Sequence, residues 1–275
     1  MKSYKEVLEE ASKYLIDNDI DEAKIDAWYL FNHVFNVDRA EYFLNINRTI
    51  SLEQYKDYMD LIKKRAAHIP LQYIIGYTEF MGLKIKVNKN VLIPRHDTEV
   101  LVEEVLKVCD NKDVLDMCTG SGCIIISLKK LGKISKAIGV DISKEALLLA
   151  KENASINDVD VEFVESDLFD RIEGKYDIIV SNPPYIPEGD INDLSIEVRD
   201  HEPLLALDGK EDGLFFYRKI IKEAKKYLNP GGYVFFEIGY NQADDLLVLF
   251  KAEGIEDVEI IQDLAGLDRV VKARI

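Results

Sequence analysis

Tyr176-Asp-Ile-Ile-Val-Ser-Asn-Pro-Pro-Tyr185 is the stretch on which the reading of the whole chain turns. Its apolar run, Ile178-Ile179-Val180, has the length and β-branched content of a buried strand. Pro183 and Pro184 end that strand, because proline cannot donate to a ladder or sit in a central strand. Each proline also pushes the residue before it into extended backbone, so Asn182 and Pro183 are held out of the helical region. The expectation is a stiff polar loop at the carboxyl end of a parallel strand, where open α/β sheets take their ligands. Such a loop aims two acceptors, the Asn182 side-chain carbonyl and the Pro183 backbone carbonyl, and that pair suits a planar NH2 group. A proline turn kept only for structure has the same local pattern, so the neighbouring segments decide.

Outward from this stretch, strands and helices alternate from about residue 112 to the end. Residues 112–117, 136–141, 161–165, 176–181 and 232–238 read as strands, with helical stretches at 122–131, 143–155, 213–228 and 241–253. Two further short strands are expected at 258–261 and 270–275. Alternation of this kind predicts an α/β fold with a mostly parallel seven-stranded sheet and crossover helices.

The first part of the chain differs. Residues 1–72 read as an all-helical domain: Val7, Leu8, Ala11, Tyr14 and Leu15 recur at helical spacing, and so do Ala27, Trp28, Leu30, Phe31 and Val34. Ser51 opens another helix through residue 67, and no glycine occurs before Gly76. Trp28 and the surrounding aromatics read as bundle core. Residues 73–94, with Gly82 and the alternating Leu83-Lys-Ile-Lys-Val87, read as a β-hairpin linker. Residues 95–275 form the third part, opening on a helix with Asp97 and Glu99 acidic in its first turn.

Bulk properties narrow the function. Hydrophobic residues make up 47% of the 275, yet no long uncharged apolar run exists, which points to a soluble globular protein without a membrane span. The start, MKSYKEVLEEASKY, reads as a charged helix and not a signal peptide. Cys109, Cys118 and Cys123 have no metal-type spacing, and His33, His68, His96 and His201 are scattered, so reduced thiols, a cytoplasmic location and no metal are expected. The net charge of −16 argues against direct binding of nucleic acid and fits a basic protein partner better. Lys63-Lys64-Arg65 and the basic residues of 222–226 read as solvated helix faces. A monomer is the default expectation.

Three further motifs carry chemistry. The first strand of the alternating region runs into Asp116-Met-Cys-Thr-Gly120-Ser-Gly122 before a helix, a glycine loop that lets backbone approach a ligand. Ile125 stands where a dinucleotide fingerprint wants its third glycine, and the preceding acid suits a ligand ammonium better than a pyrophosphate. Asp141 ends the next strand, where a carboxylate can take both hydroxyls of a ribose, although it can equally help Ser143 cap the following helix. Ser166-Asp167-Leu168-Phe169 follows the third strand, an acid beside apolar side chains suited to an adenine amino group and its flat faces.

In this order the motifs resemble those of class I (Rossmann-like) S-adenosylmethionine-dependent methyltransferases. The resemblance narrows to the HemK/PrmC family through Pro70-Leu-Gln-Tyr-Ile-Ile-Gly76, Glu79-Phe-Met-Gly82, Leu92-Ile-Pro-Arg-His-Asp-Thr-Glu99, Glu202-Pro-Leu-Leu-Ala-Leu207, Asp212-Gly-Leu214 and Asp263-Leu-Ala-Gly-Leu-Asp-Arg269. It runs from about residue 70 to the end; the N-terminal region corresponds in size and type. His96 stands where the family usually has proline, and His201 where tyrosine is common.

That resemblance implies methylation of the Gln of the Gly-Gly-Gln motif in peptide chain release factors, with S-adenosyl-L-methionine converted to S-adenosyl-L-homocysteine. It implies that Cys118, Thr119, Gly120, Ser121 and Gly122 contact the methionine part of the cofactor, with Asp116 near its ammonium. Asp141 would hold the ribose, and Asp167 and Leu168 would bracket the adenine. Asn182, which would also touch the cofactor, and Pro183 would accept hydrogen bonds from the target amide NH2; Pro184 would line the target side, and Tyr185 would pack on the amide plane. Arg95 would help order the site, and the helical domain would recognise the partner. The competing expectations are a methyltransferase acting on the exocyclic amine of adenine in DNA or RNA, and a nonenzymatic cofactor-binding protein.

Overall fold

The alternation read from residue 112 onward becomes a single seven-stranded sheet in a computed structural model of the chain, which describes residues 2–275. Contacts divide the chain into two units. One holds the residues up to Gly76 together with Ser195–His201, and the other holds Tyr77–Leu194 and Glu202–Ile275.

The first unit is helical: α1 (Tyr4–Ile16), α2 (Ala23–Phe35), α3 (Arg39–Leu44), α4 (Leu52–Ala66) and α5 (Leu71–Ile75). Ser3 and Ser51 cap α1 and α4 through reciprocal bonds with Glu6 and Gln54, the capping-box arrangement. Trp28 is core, as the sequence predicts; its ring stacks 5.7 Å from Phe31, whose ring meets Tyr58 edge-on at 5.8 Å. Residues 73–75, expected to begin the hairpin linker, instead complete helix α5. Pro70 starts it and left-handed Gly76 ends it, with the Gly76 N–H on the Gln72 carbonyl at 2.7 Å. Leu71, Ile74 and Ile75 pack on the bundle core, a helical spacing too short to stand out in the sequence.

Arg65 is buried in this unit. Its Nε donates to Asp26 Oδ2 at 2.6 Å, and its guanidinium also pairs with Glu197 of the short helix α9 (Ile196–His201). Burial nevertheless outweighs Arg65 and leaves the Asp26 carboxyl above its usual range.

The second unit begins with a hairpin, β1 (Tyr77–Phe80) and β2 (Leu83–Lys86), then α6 (Asp97–Leu106). His96, placed before α6, has φ −62°, a value proline also adopts, so the family's usual residue and this histidine fit the same backbone. The sheet follows: β3 (Val114–Met117), β4 (Ala137–Asp141), β5 (Glu162–Glu165), β6 (Tyr176–Ser181), β7 (Leu228–Glu237), β8 (Val258–Gln262) and β9 (Asp268–Arg274). Its order is β5-β4-β3-β6-β7-β9-β8, parallel except where β9 runs against β7 and β8. Between strands lie α7 (Cys123–Leu131), α8 (Lys144–Ile156), α10 (Phe215–Tyr227) and α11 (Ala243–Ala252). The chain leaves β3 toward β4 and later returns to β6 on the other side. The loops after β3 and β6 therefore part from each other, the place where open α/β sheets leave a ligand crevice. Among the described residues no helix is long and apolar enough to cross a membrane.

Because Asp26 is buried and its guanidinium partner is the compensating charge, Arg65→Ala is expected to destabilise the protein by roughly 3–5 kcal/mol. Replacing both residues with apolar side chains should cost far less. Urea unfolding of the two variants checks this.

Candidate active site

The crevice holds a cavity of about 430 Å³, within the usual range of small-molecule sites (roughly 300–1,000 Å³). Its floor is the loop after β3. Thr119 N–H donates to the Val140 carbonyl at 2.9 Å, pinning the loop to β4. Cys118 adopts φ +58° and Gly120 φ +55°. A Cβ built at Gly120 meets no protein atom within 4 Å, and Gly120 lines the cavity. What glycine keeps clear there is the cavity itself. Gly122 is the N-cap of α7, and Ser121 just before it, with Cys123 and Ile124 of the first turn, also faces the space.

Asp141 lines one wall. Its Oδ2 accepts from Gly120 N at 2.8 Å and its Oδ1 from Ser143 N at 2.8 Å, while Ser143 Oγ caps α8 through Ala146 N at 3.1 Å. Both readings of Asp141 from the sequence are thus compatible: it braces two turns and still presents a carboxylate to the cavity. Ser166, exposed Asp167 and buried Leu168 continue that wall, with Leu168 at φ +46°. Three non-glycine residues held in the left-handed region line this one cavity, Cys118, Leu168 and Lys210 (φ +70°), the kind of local strain that functional sites keep.

Asn182 and Pro184 close the opposite wall. Several contacts fix the loop that carries them. Ser181 Oγ donates to the Met117 carbonyl at 2.6 Å, tying the ends of β6 and β3 together. Beyond the prolines, Ile186 N–H donates to Leu207 O at 3.0 Å and Gly209 N–H to Ile186 O at 2.8 Å. Gln242 Nε2 donates to the Tyr185 carbonyl at 3.1 Å. Gly213 presses against that same carbonyl: with φ +74°, a Cβ there would come within 2.3 Å of it, which explains a glycine in the Asp212-Gly-Leu214 motif.

Of the residues singled out from sequence, Cys118, Thr119, Gly120, Ser121, Asp141, Asp167, Leu168, Asn182 and Pro184 line one cavity. Asp116, Gly122, Pro183 and Tyr185 lie just outside its lining. Asp116 is buried beneath the loop, accepting from Thr119 Oγ1 at 2.5 Å through one oxygen while the other, Oδ1, has no partner. Burial pushes its carboxyl up to about 7. The Tyr185 ring is half buried against the sheet core. Arg95 reaches Glu202, a buried acid whose Oε2 also accepts from Ile93 N at 3.3 Å. That pair ties the 91–95 segment to the 203–206 turn, and both line the cavity.

Two side chains beside the site escaped the sequence reading. Thr98, buried at the start of α6, lines the cavity and accepts from Asn182 Nδ2 at 3.3 Å. Glu237 ends β7, fully buried, with its carboxyl also raised to about 7. The signal for Glu237 was present: a lone acid in the apolar run Val234-Phe235-Phe236-Glu237-Ile238.

Comparison with known proteins places this geometry. The profile of the PrmC N-terminal domain matches residues 6–76, and that of the methyltransferase small domain matches residues 96–197. A release factor glutamine methyltransferase of Geobacter sulfurreducens is 41% identical over 273 residues, covering 98% of this chain and 96% of its own length. One from Clostridium acetobutylicum is 43% identical over 258 residues, 90% of each chain. Among solved structures, a methyltransferase from Pyrococcus furiosus superposes with a TM-score of 0.58 at 19% identity, covering 77% of this chain and 98% of that one.

The raised Asp116 carboxyl has a consequence for stability. A carboxyl whose pKa is higher folded than unfolded stabilises most below the unfolded value, near pH 4, and that contribution is lost as pH rises through about 7. Asp116→Asn is therefore expected to flatten the fall in melting temperature of the ligand-free protein between pH 5 and 8. The difference at pH 8 should be of order 1–4 kcal/mol in favour of the variant, at about 1.4 kcal/mol per pKa unit. Calorimetry across that window, with and without methyl donor, measures it.

Proposed function

This chain belongs to the release factor glutamine methyltransferase family, and we propose that its cavity methylates the side-chain amide of the glutamine in the Gly-Gly-Gln motif of release factors. The observation that carries the reading is the meeting, at one cavity, of the glycine loop after β3 and the Asn182 loop after β6.

The lining fits S-adenosylmethionine. Gly120 leaves an open face for the amino acid part, and its neighbours in the loop offer backbone to it. Asp141 stands where ribose hydroxyls would sit, while Asp167 and Leu168 offer an acceptor and an apolar face to the adenine. Asp116, beneath the loop with one oxygen free, supplies negative charge toward the ammonium. Bound there, the cofactor supplies a methyl group on a cationic sulfur, already activated for displacement, and leaves as S-adenosylhomocysteine.

The protein's task lies with the nucleophile. A glutamine amide nitrogen is weak because its lone pair is delocalised into the carbonyl. Asn182 Oδ1 and the Pro183 carbonyl accept its two N–H bonds and turn the lone pair toward the methyl carbon. Alignment of this kind can supply roughly 7–11 kcal/mol of a barrier, and acceptors for charge growing on nitrogen add to it. As the N–C bond forms and the C–S bond breaks, the amide becomes a strongly acidic cation, and its proton passes to water. No strong base is needed. Pro184 walls the target side, and Tyr185, clamped at its carbonyl by Gln242 and Gly213, holds the loop in place.

The helical unit is assigned to docking the release factor, Arg95 with Glu202 to ordering the cavity rim. The protein acts as a cytoplasmic monomer on protein, not nucleic acid; the net charge of −16 supports the last point.

The test is transfer of labelled methyl from S-adenosylmethionine to a release factor, its Gln-to-Ala version, DNA and RNA in parallel. Label is expected on the unaltered release factor alone. Label confined to nucleic acid, or undiminished on the Gln-to-Ala protein, contradicts the reading. Asn182→Ala should lower kcat by about 10²–10³, the cost of removing one preorganised hydrogen-bond group, while cofactor affinity drops only modestly.

A further inference from the structure

Glu237 stands beside Asn182 by strand register. Ser181 pairs with Phe236 across β6 and β7, so the residues that follow are Asn182, just past the end of β6, and Glu237, the last of β7. The acid is fully buried, and its Oε2 has no hydrogen-bond partner. A buried carboxylate oxygen left unpaired costs the fold stability. Nor does the fold compensate it with an ion pair: the nearby Arg269 is turned onto Asp97 at 3.2 Å and Asp263 at 3.1 Å. What favours its charged form is, largest first, the Thr98 hydroxyl, the positive charge of nearby Arg269 and the Asn182 side chain. Thr98 and Asn182 line the cavity and Glu237 does not, so it stands behind them, out of reach of substrate.

We propose that Glu237 is a positioning residue that fixes the orientation of the Asn182 side-chain amide. Its carboxylate takes the Asn182 NH2 together with the Thr98 hydroxyl, and this leaves Asn182 Oδ1 facing the cavity. The bond from Asn182 Nδ2 to Thr98 Oγ1 at 3.3 Å points the NH2 the same way. Without a fixed acceptor behind it, the amide flips, and a flipped Asn182 presents NH2 to the substrate's NH2, donor against donor. The inference rests on the methyl-transfer reading above.

Ionisation of Glu237 decides how well it accepts. The groups around it are Asp97 from α6, Tyr185 from the loop, Arg269 from β9, Tyr217 from α10 and Cys123 from α7. Of these, Arg269 remains cationic, and burial pushes both tyrosines and the thiol upward. Once protonated, the carboxyl must spend one oxygen as a donor, and the hold on Asn182 weakens as pH falls through about 7.

Glu237→Gln is expected to lower kcat about 10- to 100-fold, the loss of one hydrogen bond to a charged group. The KM for S-adenosylmethionine should stay within about threefold, since uniform binding is untouched. Wild-type kcat should fall on the acid side of about pH 7, and the Gln variant should lack that limb. Melting at pH 8 separates folding from function, because removing a buried charge should leave the variant at least as stable as wild type. A second variant makes the same test by exchange: Asn182→Asp alone sets two acids together, whereas Asn182→Asp with Glu237→Gln restores a donor facing an acceptor. The double variant should turn over at least about tenfold faster than Asn182→Asp alone, one restored hydrogen bond. A Gln variant with wild-type kcat and an unchanged acid limb overturns the inference, and so does a double variant no better than the single. A wild-type protein that leaves the release factor unlabelled overturns the functional reading itself, which these variants then no longer probe.

Discussion

Two prolines after a buried strand leave residues 182–184 almost no backbone freedom, and the rest of the catalytic unit is built around holding that short segment still. Behind it, Ser181 is bonded to β3. Ahead of it, the Tyr185 carbonyl is caught between Gln242 and the bare face of Gly213. Beside it, Thr98 accepts from the Asn182 amide, with the buried Glu237 next along the sheet. The chemistry explains the effort. A delocalised amide lone pair reacts only when its direction is imposed, and imposing direction requires acceptors that do not move. On the methyl-transfer reading, binding geometry and not acid–base strength is what this fold supplies.

The same crevice stores unfavourable charge. Asp116 and Glu237 are each buried with one oxygen unpartnered and a carboxyl raised to about 7. One lies below the glycine loop and the other behind the Asn182 loop, so the two loops that meet at the cavity are each backed by an acid. Both acids reduce the stability of the empty protein at neutral pH. On the proposed reading the compensation differs: Asp116 offers its charge to a cationic ligand, whereas Glu237 spends its charge on an internal donor. Stability is given up at the two positions where orientation and ligand charge matter most.

Much of this was legible in the chain. The seven strands follow from short β-branched runs bounded by glycine, proline and polar turns, and the site loops follow from what stands at the end of each run. Short elements were not legible. α5 spans only Leu71–Ile75, too few residues for periodicity to separate it from an extended segment. Strand order was not legible either, because nothing local says that β7 pairs with β6. For that reason Glu237 passed unnoticed beside Asn182 although it is the one acid in an apolar run, and Thr98 passed as an ordinary first-turn residue. The burial of Asp116 beneath the glycine loop, where the Thr119 hydroxyl donates to it, has no local signal either.

The direct test of alignment by fixed acceptors is a crystal structure of the protein with S-adenosylhomocysteine and a release factor in place. The target glutamine nitrogen is expected within about 3.2 Å of both Asn182 Oδ1 and the Pro183 carbonyl, on a line with the cofactor sulfur. A glutamine nitrogen that reaches neither oxygen, or a loop at 182–185 displaced from its position in the free protein, contradicts the claim that this segment is prebuilt to aim a weak nucleophile.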